Sequence, residues 1–177
     1  LVGSEMCIRD RNNNSYCIEN ITFADGSSLS LQNTGYTFDQ TSLHETINAT
    51  IYNDTINARA GNDTINANNG DDIINAGAGN DTVEGGEGND IITGGKGRDI
   101  LNGGSGDDTY IYNRGDGFDE ITENGGNDKI VFGEGIAKTD LIFIQDGNNL
   151  KIQLNGNSEE SITVKNHFNE NNNYKIE

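Results

Sequence analysis

Gly85-Gly86-Glu87-Gly88-Asn89-Asp90-Ile91-Ile92-Thr93 is followed by Gly94-Gly95-Lys96-Gly97-Arg98-Asp99-Ile100-Leu101-Asn102 and Gly103-Gly104-Ser105-Gly106-Asp107-Asp108-Thr109-Tyr110-Ile111. Each block of nine has glycine at its first, second and fourth places, aspartate at its sixth and a large apolar residue at its eighth. The same register begins at Ala49. Its sixth place is filled by Asp54, Asp63, Asp72, Asp81, Asp90, Asp99 and Asp108, and its eighth by Ile56, Ile65, Ile74, Val83, Ile92, Leu101 and Tyr110. The fourth place is Gly61, Gly70, Gly79, Gly88, Gly97 and Gly106, with Tyr52 as the exception. One earlier block has Glu45 and Ile47 in register. After a two-residue insertion around Arg114 to Phe118 the pattern resumes with Asp119 and Ile121, then Asp128 and Ile130. A fixed short period of this kind decides the architecture before any local propensity does.

Glycine at the first, second and fourth places permits positive φ and close approach to a ligand. What remains of each block is long enough for a turn and a strand of two or three residues. With one inward apolar side chain per block, two blocks must close one flattened coil of about 18 residues. Coils stacked at about 4.8 Å form parallel sheets on two faces. The fold class is therefore all-β, a parallel solenoid. Asp54, Asp72, Asp90 and Asp108 then form a column on one edge, and Asp63, Asp81 and Asp99 on the other. Carboxylates at that spacing repel by about 1 kcal/mol per pair even in bulk water, and by more when partly buried, unless a cation lies between them. Oxygen donors, glycine-exposed carbonyls and repeat positions without Cys or His suit Ca²⁺ better than Zn²⁺ or copper. Mg²⁺ suits them less, because it keeps its waters in a tight octahedron. The alternative is a metal-free solenoid stacked through asparagine ladders, with its aspartates as a solvated edge.

The three nonapeptides from Gly85 resemble the G-G-x-G-x-D-x-U-x unit of repeat-in-toxin (RTX) proteins, the haemolysin-type calcium-binding repeats. The resemblance implies a right-handed parallel β-roll in which each Ca²⁺ lies between two stacked turns. The implied ligands are the carboxylates of Asp63, Asp72, Asp81, Asp90, Asp99 and Asp108. Backbone carbonyls of Gly77, Gly79, Gly86, Gly88, Gly95, Gly97, Gly104 and Gly106 would complete them, with Asp54 and Asp119 as weaker candidates. The best sites pair Asp81 with Asp99 and Asp90 with Asp108, followed by Asp63 with Asp81 and Asp72 with Asp90. Earlier blocks depart from the unit, with Ala49, Ala58, Ala67 and Ala76 at the first place and Thr50, Arg59 or Asn68 at the second. Four to six ions are expected, held more weakly toward the N-terminus.

Composition agrees with a fold that leans on metal. The 177 residues carry a formal charge of -18, 24 glycines, 28 asparagines and no Pro or Trp. Nucleic acid and anionic membranes are excluded as partners, since both call for clustered Lys and Arg. Leu, Ile, Val and Phe number 39, just above the share of roughly 20% below which highly charged chains stay disordered. The sequence has no run of about 18 apolar residues and so no membrane span. So thin a core predicts a roll that is largely disordered without Ca²⁺ and folds at the millimolar levels met outside cells.

The flanks read differently. Leu1 to Arg11 lacks the apolar centre of a secretory signal. Its Met6-Cys7-Ile8-Arg9-Asp10-Arg11 looks like a translated transposon mosaic-end adapter, so residues 1–11 are set apart from fold reasoning and expected to be disordered. Cys17 is then the one native cysteine. A Cys7–Cys17 disulfide is disfavoured, and a chain with at most one native cysteine fits an exported bacterial protein without a disulfide scaffold. Residues 12–39 read as the tail of a preceding module or an N-terminal β cap, 40–111 as the roll and 112–177 as a C-terminal β cap.

Within that cap, Leu141 to Gln145, the turn Asp146-Gly147-Asn148 and Leu150 to Leu154 spell a β-hairpin, and Ser161 to Lys165 a third strand. Apolar side chains there are expected to close the open end of the roll, as solenoid ends require. Ser161 to Phe168 resembles the haemolysin-type calcium-binding-related region that follows such repeats in long secreted bacterial proteins. His167 stands where that pattern often has Trp, and reads as a packing substitute rather than a ligand. Tyr174-Lys175-Ile176-Glu177 echoes Tyr16-Cys17-Ile18-Glu19 at an offset of 158 residues, as expected of a chain cut from tandem copies of one module.

No catalytic constellation emerges, and the fragment reads as non-catalytic. His44 and His167 stand alone, H-E-x-x-H is missing, and Gly104-Ser105-Gly106 lacks the spacing of a nucleophile elbow. The reading is a calcium-dependent folding and secretion module of a large exported protein of toxin or adhesin type. By resemblance it would leave the cell unfolded through type I secretion machinery and reside outside the cell or on its surface. The alternatives are the non-catalytic C-terminal part of an extracellular protease or lipase, or a structural adhesin spacer. An ice-binding face of Thr55, Thr64 and Thr82 is disfavoured because Ile73, Ile91 and Ile100 break the row.

Overall fold

The computed structural model describes residues 35, 37–40, 42–155, 157 and 159–169, together with the backbone of four short strands nearer the N-terminus. The chain divides into two units, Leu1–Thr34 and Gly35–Glu177. In the first, β1 (Ile8–Arg9) pairs antiparallel with β2 (Ser15–Tyr16), and β3 (Asn20–Thr22) with β4 (Ser28–Ser30). The Cys7–Cys17 pairing, the rest of residues 1–11 and the Tyr174–Glu177 echo fall outside the described residues.

The second unit is a parallel β-solenoid of two sheets. One sheet holds β5 (Thr37–Asp39), β7 (Thr55–Asn57), β9 (Ile73–Gly79), β11 (Ile91–Gly97), β13 (Thr109–Tyr112) and β15 (Lys129–Phe132), all parallel. The facing sheet holds β6 (Thr46–Asn48), β8 (Thr64–Asn66), β10 (Thr82–Glu87), β12 (Ile100–Ser105) and β14 (Phe118–Thr122), also parallel. Successive strands therefore alternate between sheets. Two nonapeptides make one coil, as the register Thr64 to Thr82 to Ile100 shows, and the insertion lengthens the next coil so that Ile100 meets Glu120.

Each short strand turns its eighth-place side chain inward and its neighbours outward, the period of two that a pleated strand imposes. Ile56, Ile74, Ile92 and Tyr110 from one sheet face Ile65, Val83, Leu101 and Ile121 from the other, and all are buried. Ala58, Ala67 and Ala76, at the first place of their blocks, complete this narrow core. β5 to β8 are strands of three residues each. β9 to β12 run to six or seven because their turn glycines also pair from coil to coil, Gly77 with Gly95, Gly79 with Gly97 and Gly86 with Gly104.

Positive φ occupies the second and fourth places, as at Gly95 (92°) and Gly97 (139°), and Arg59 and Asn68 adopt the same left-handed form at 73°. The first-place glycines Gly85, Gly94 and Gly103 are not in that region, so their need for glycine is spatial rather than conformational. Where the fourth place is glycine a side chain would clash: a methyl at Gly97 would lie 1.7 Å from the Gly79 carbonyl oxygen.

Past a single 3₁₀ turn at Lys138–Asp140, β16 (Leu141–Asp146) and β17 (Asn149–Leu154) form the hairpin, closed at Gly147 with φ 61°. β18 (Ser161–Val164) pairs antiparallel with β17 and parallel with β14, so the antiparallel piece continues the roll's own sheet. Leu154, Ile162 and Val164 join the core. Among the described residues no helix is long and apolar enough to cross a membrane.

Candidate metal centre

The sixth-place residues all sit at the bend between turn and strand, where every coil passes from one sheet to the other. Asp54, Asp63, Asp72, Asp81, Asp90, Asp99 and Asp108 are at most 2% exposed. A carboxylate so buried needs partners, and one oxygen of each has one. The backbone N–H of Asp54 donates to Asp72 Oδ1 at 2.6 Å, that of Asp72 to Asp90 Oδ1 at 2.8 Å, and that of Asp90 to Asp108 Oδ1 at 2.8 Å. The other edge repeats this from Asp63 to Asp81 (2.7 Å) and from Asp81 to Asp99 (2.9 Å). Across the longer coil the bonds stretch slightly, from Asp99 to Asp119 at 3.2 Å and from Asp108 to Asp128 at 3.0 Å.

The second oxygen is different. Oδ2 of Asp63, Asp72, Asp81, Asp90, Asp99, Asp108 and Asp128 is buried without a hydrogen-bond partner. Asp54 departs from the row, because the backbone N–H and hydroxyl of Thr50 donate to its Oδ2 at 2.7 and 2.8 Å. Burial pushes the Asp72 and Asp108 carboxyls up to about 6 and those of Asp90 and Asp99 up to about 7, with neighbouring aspartates adding repulsion. Burial and then the Asp99 charge push Asp119 up to about 8. These columns hold negative charge poorly by themselves.

Buried carboxylate oxygens without protein donors are the arrangement a bound cation relieves. The first-place glycines leave room for more than carboxylates. A methyl at Gly85 would meet Asp90 Oδ2 at 2.3 Å and the Gly103 carbonyl oxygen at 2.6 Å, so two oxygens converge beside its α-carbon. Methyls at Gly94 and Gly103 would likewise strike Oδ2 of Asp99 and Asp108 at 2.5 and 2.2 Å. In the earlier blocks the methyls of Ala58, Ala67 and Ala76 stand at this place and are fully buried. All-oxygen donors with no thiolate or imidazole fit Ca²⁺.

The glycines expected from the sequence lie elsewhere in the turn. Methyls at Gly95, Gly97, Gly104 and Gly106 would meet the carbonyls of Gly77, Gly79, Gly86 and Gly88 at 1.7 to 2.2 Å, so those carbonyls lie against the next coil's backbone. At the second place, the Arg59 and Asn68 carbonyls already accept ladder N–H groups at 2.8 Å. At Gly85 it is the Gly103 carbonyl that comes beside the unpartnered Asp90 Oδ2. The close approach that first-place glycine permits begins where Ala76 gives way to Gly85, although the Gly103 carbonyl was not among the donors expected from the sequence. His167 packs edge-to-face on Phe168, with ring centres 4.9 Å apart.

A two-sheet parallel roll edged by buried, half-satisfied carboxylate columns defines a metal-binding β-solenoid. The RTX calcium-binding nonapeptide repeat model matches residues 48–83, 75–110 and 84–119, and the haemolysin-type calcium binding protein related domain matches residues 149–177. Residues 48–119 are thus RTX calcium-binding nonapeptide repeats, followed by a haemolysin-type calcium binding protein related domain. No curated protein matches the chain.

Proposed function

We propose that the chain is a calcium-dependent folding module of a large exported RTX-type bacterial protein. The observation that carries this reading is the run of buried Oδ2 atoms from Asp63 to Asp108 that lack hydrogen-bond partners. Ca²⁺ supplies what the backbone does not: a counter-charge for each carboxylate and a link between adjacent coils. Asp63, Asp72, Asp81, Asp90, Asp99 and Asp108 serve as its carboxylate ligands. Carbonyls of Gly77, Gly79, Gly86, Gly88, Gly95, Gly97, Gly104 and Gly106 contribute according to how far each turn opens. Asp54 and Asp119 are weaker, Asp54 because Thr50 already occupies its second oxygen. Four to six ions are bound in all.

Repeats of this family are typical of secreted or surface proteins. An unfolded, anionic chain suits passage through a type I secretion channel, followed by folding where calcium is millimolar. The parent protein is of toxin or adhesin type, or an extracellular protease or lipase whose catalytic part lies in another segment. Circular dichroism of the chain with saturating Ca²⁺ and after chelation tests the module. The β signal is expected to collapse on chelation and return with Ca²⁺, and a signal that survives metal removal overturns the reading.

A further inference from the structure

The first edge ends on a turn that departs from the glycine pattern. One coil beyond Gly103, its first place is Glu123, in the block that also supplies Asp128. Glu123 does not reach into solvent; it is 8% exposed, and Asp108 and Asp128 are fully buried. Its Oε1 accepts the Tyr110 phenol, and the phenol oxygen in turn accepts the Gly103 N–H at 2.6 Å. Its Oε2 has no partner, and neither do Asp108 Oδ2 and Asp128 Oδ2. The three carboxylates offer one oxygen each within 4.8 Å of one another.

Three acidic side chains converging in a buried space repel strongly. Burial and the charges of Asp128 and Asp108 push Glu123 up to about 8, against the hydrogen bond from Tyr110. No such site is spelled by the glycine turns, whose first place is Gly or Ala throughout the blocks from Ala49 to Gly103.

We propose that Asp108, Glu123 and Asp128 form a terminal cation site built from three side-chain carboxylates. It takes a hard divalent or trivalent ion and binds it more tightly than the glycine-turn sites. More formal negative charge in the donor set raises affinity for such ions. The site goes beyond the calcium reading of the turns, since Glu123 and Asp128 supply donors outside them. Its position closes the column, since β15 after Asp128 is the last strand of its sheet among the described residues, and Tyr110 reports on it, because its phenol holds one of the three carboxylates.

Terbium(III) is the probe, titrated into the full chain with excitation of tyrosine. The first equivalent is expected to give sensitised emission. Glu123→Gln, which keeps the side chain's shape, is expected to weaken this first binding event on the order of tenfold or more while later equivalents still bind. Tyr110→Phe keeps all three carboxylates and is expected to retain the first ion by calorimetry while losing most of its emission. Tyr112, whose pKa is raised by burial and then by the charge of nearby Asp119, serves the opposite edge, so the informative signal is the emission lost on Tyr110→Phe. Asp81→Asn on that edge is expected to leave the first ion untouched.

A Glu123→Gln chain that titrates like the original, or first-ion emission unchanged by Tyr110→Phe, overturns the site. Should Glu123→Gln fail to fold, the Tyr110→Phe comparison decides alone. The two readings fail separately. One ion bound by the original chain and lost in Glu123→Gln upholds this site and removes the calcium role of the turns. Several ions, all retained in Glu123→Gln, uphold the turns and overturn the site.

Discussion

From Asp63 to Asp108 each sixth-place aspartate divides its labour between two oxygens: Oδ1 accepts a backbone N–H of the preceding coil, and Oδ2 is left without a partner, as the calcium reading proposed above requires. Asparagine keeps the first role and loses the second. Asp90→Asn is therefore expected to stabilise the metal-free roll by about 1 to 3 kcal/mol, because it removes a buried, unsatisfied charge, and to blunt the gain from calcium. Thermal unfolding in metal-free buffer and at saturating Ca²⁺ checks both signs, and an Asn variant less stable without metal contradicts the division. Gly97→Ala acts through the backbone instead. Its φ of 139° and a contact of 1.7 Å to the Gly79 carbonyl leave no relaxed position for a methyl, so a loss of about 3 kcal/mol or more is expected in the Ca²⁺-loaded melt. The aspartate columns and the inward eighth-place residues were legible because period and residue type alone place them. The first-place glycines were not: positive φ and lack of room leave the same letter in a sequence, and three dimensions are needed to tell them apart.

Strand by strand, local signals did well and distant ones did not. The hairpin of β16 and β17 was readable from Asp146-Gly147-Asn148 between two apolar runs, since the turn residues fix both strands. The parallel docking of β18 on β14 was not, because that pairing joins segments some forty residues apart and no local signal names the partner. Yet it makes the cap part of the roll. Leu154, Ile162 and Val164 extend the central core past the last coil, whereas the half-buried, solvent-screened Lys165–Glu120 ion pair at 3.2 Å adds little. Leu154→Ala is expected to cost about 2 to 5 kcal/mol and to lower the unfolding temperature of the whole roll in one transition. Two separate transitions, with the roll's unchanged, would show that the cap is an independent element.

For the molecule as a whole, the proposed calcium sites set protons and the ion in competition for the same oxygens. The folded pKa values of Asp90 and Asp99 (about 7) and Asp119 (about 8) lie above their ordinary value of 3.8, so the metal-free fold binds protons that the unfolded chain releases. Its stabilisation by those protons is complete below about pH 3.8 and is lost as pH rises through about 7 to 8. Calcium requires the ionised groups, so its affinity falls as pH drops through the same window. Melts from pH 5 to 8 are expected to show opposite slopes with and without Ca²⁺, and parallel slopes would argue that the columns do not bind the ion. The stacking that creates this competition also sets a mechanical ratio. A coil of 18 residues, the separation bridged by the Asp72 to Asp90 bond, advances the roll by about 4.8 Å, yet the same residues drawn out span about 60 Å. Tension applied at the ends peels such coils one after another. On the calcium reading proposed above, a roll stripped of its ions is expected to extend to more than ten times its folded length.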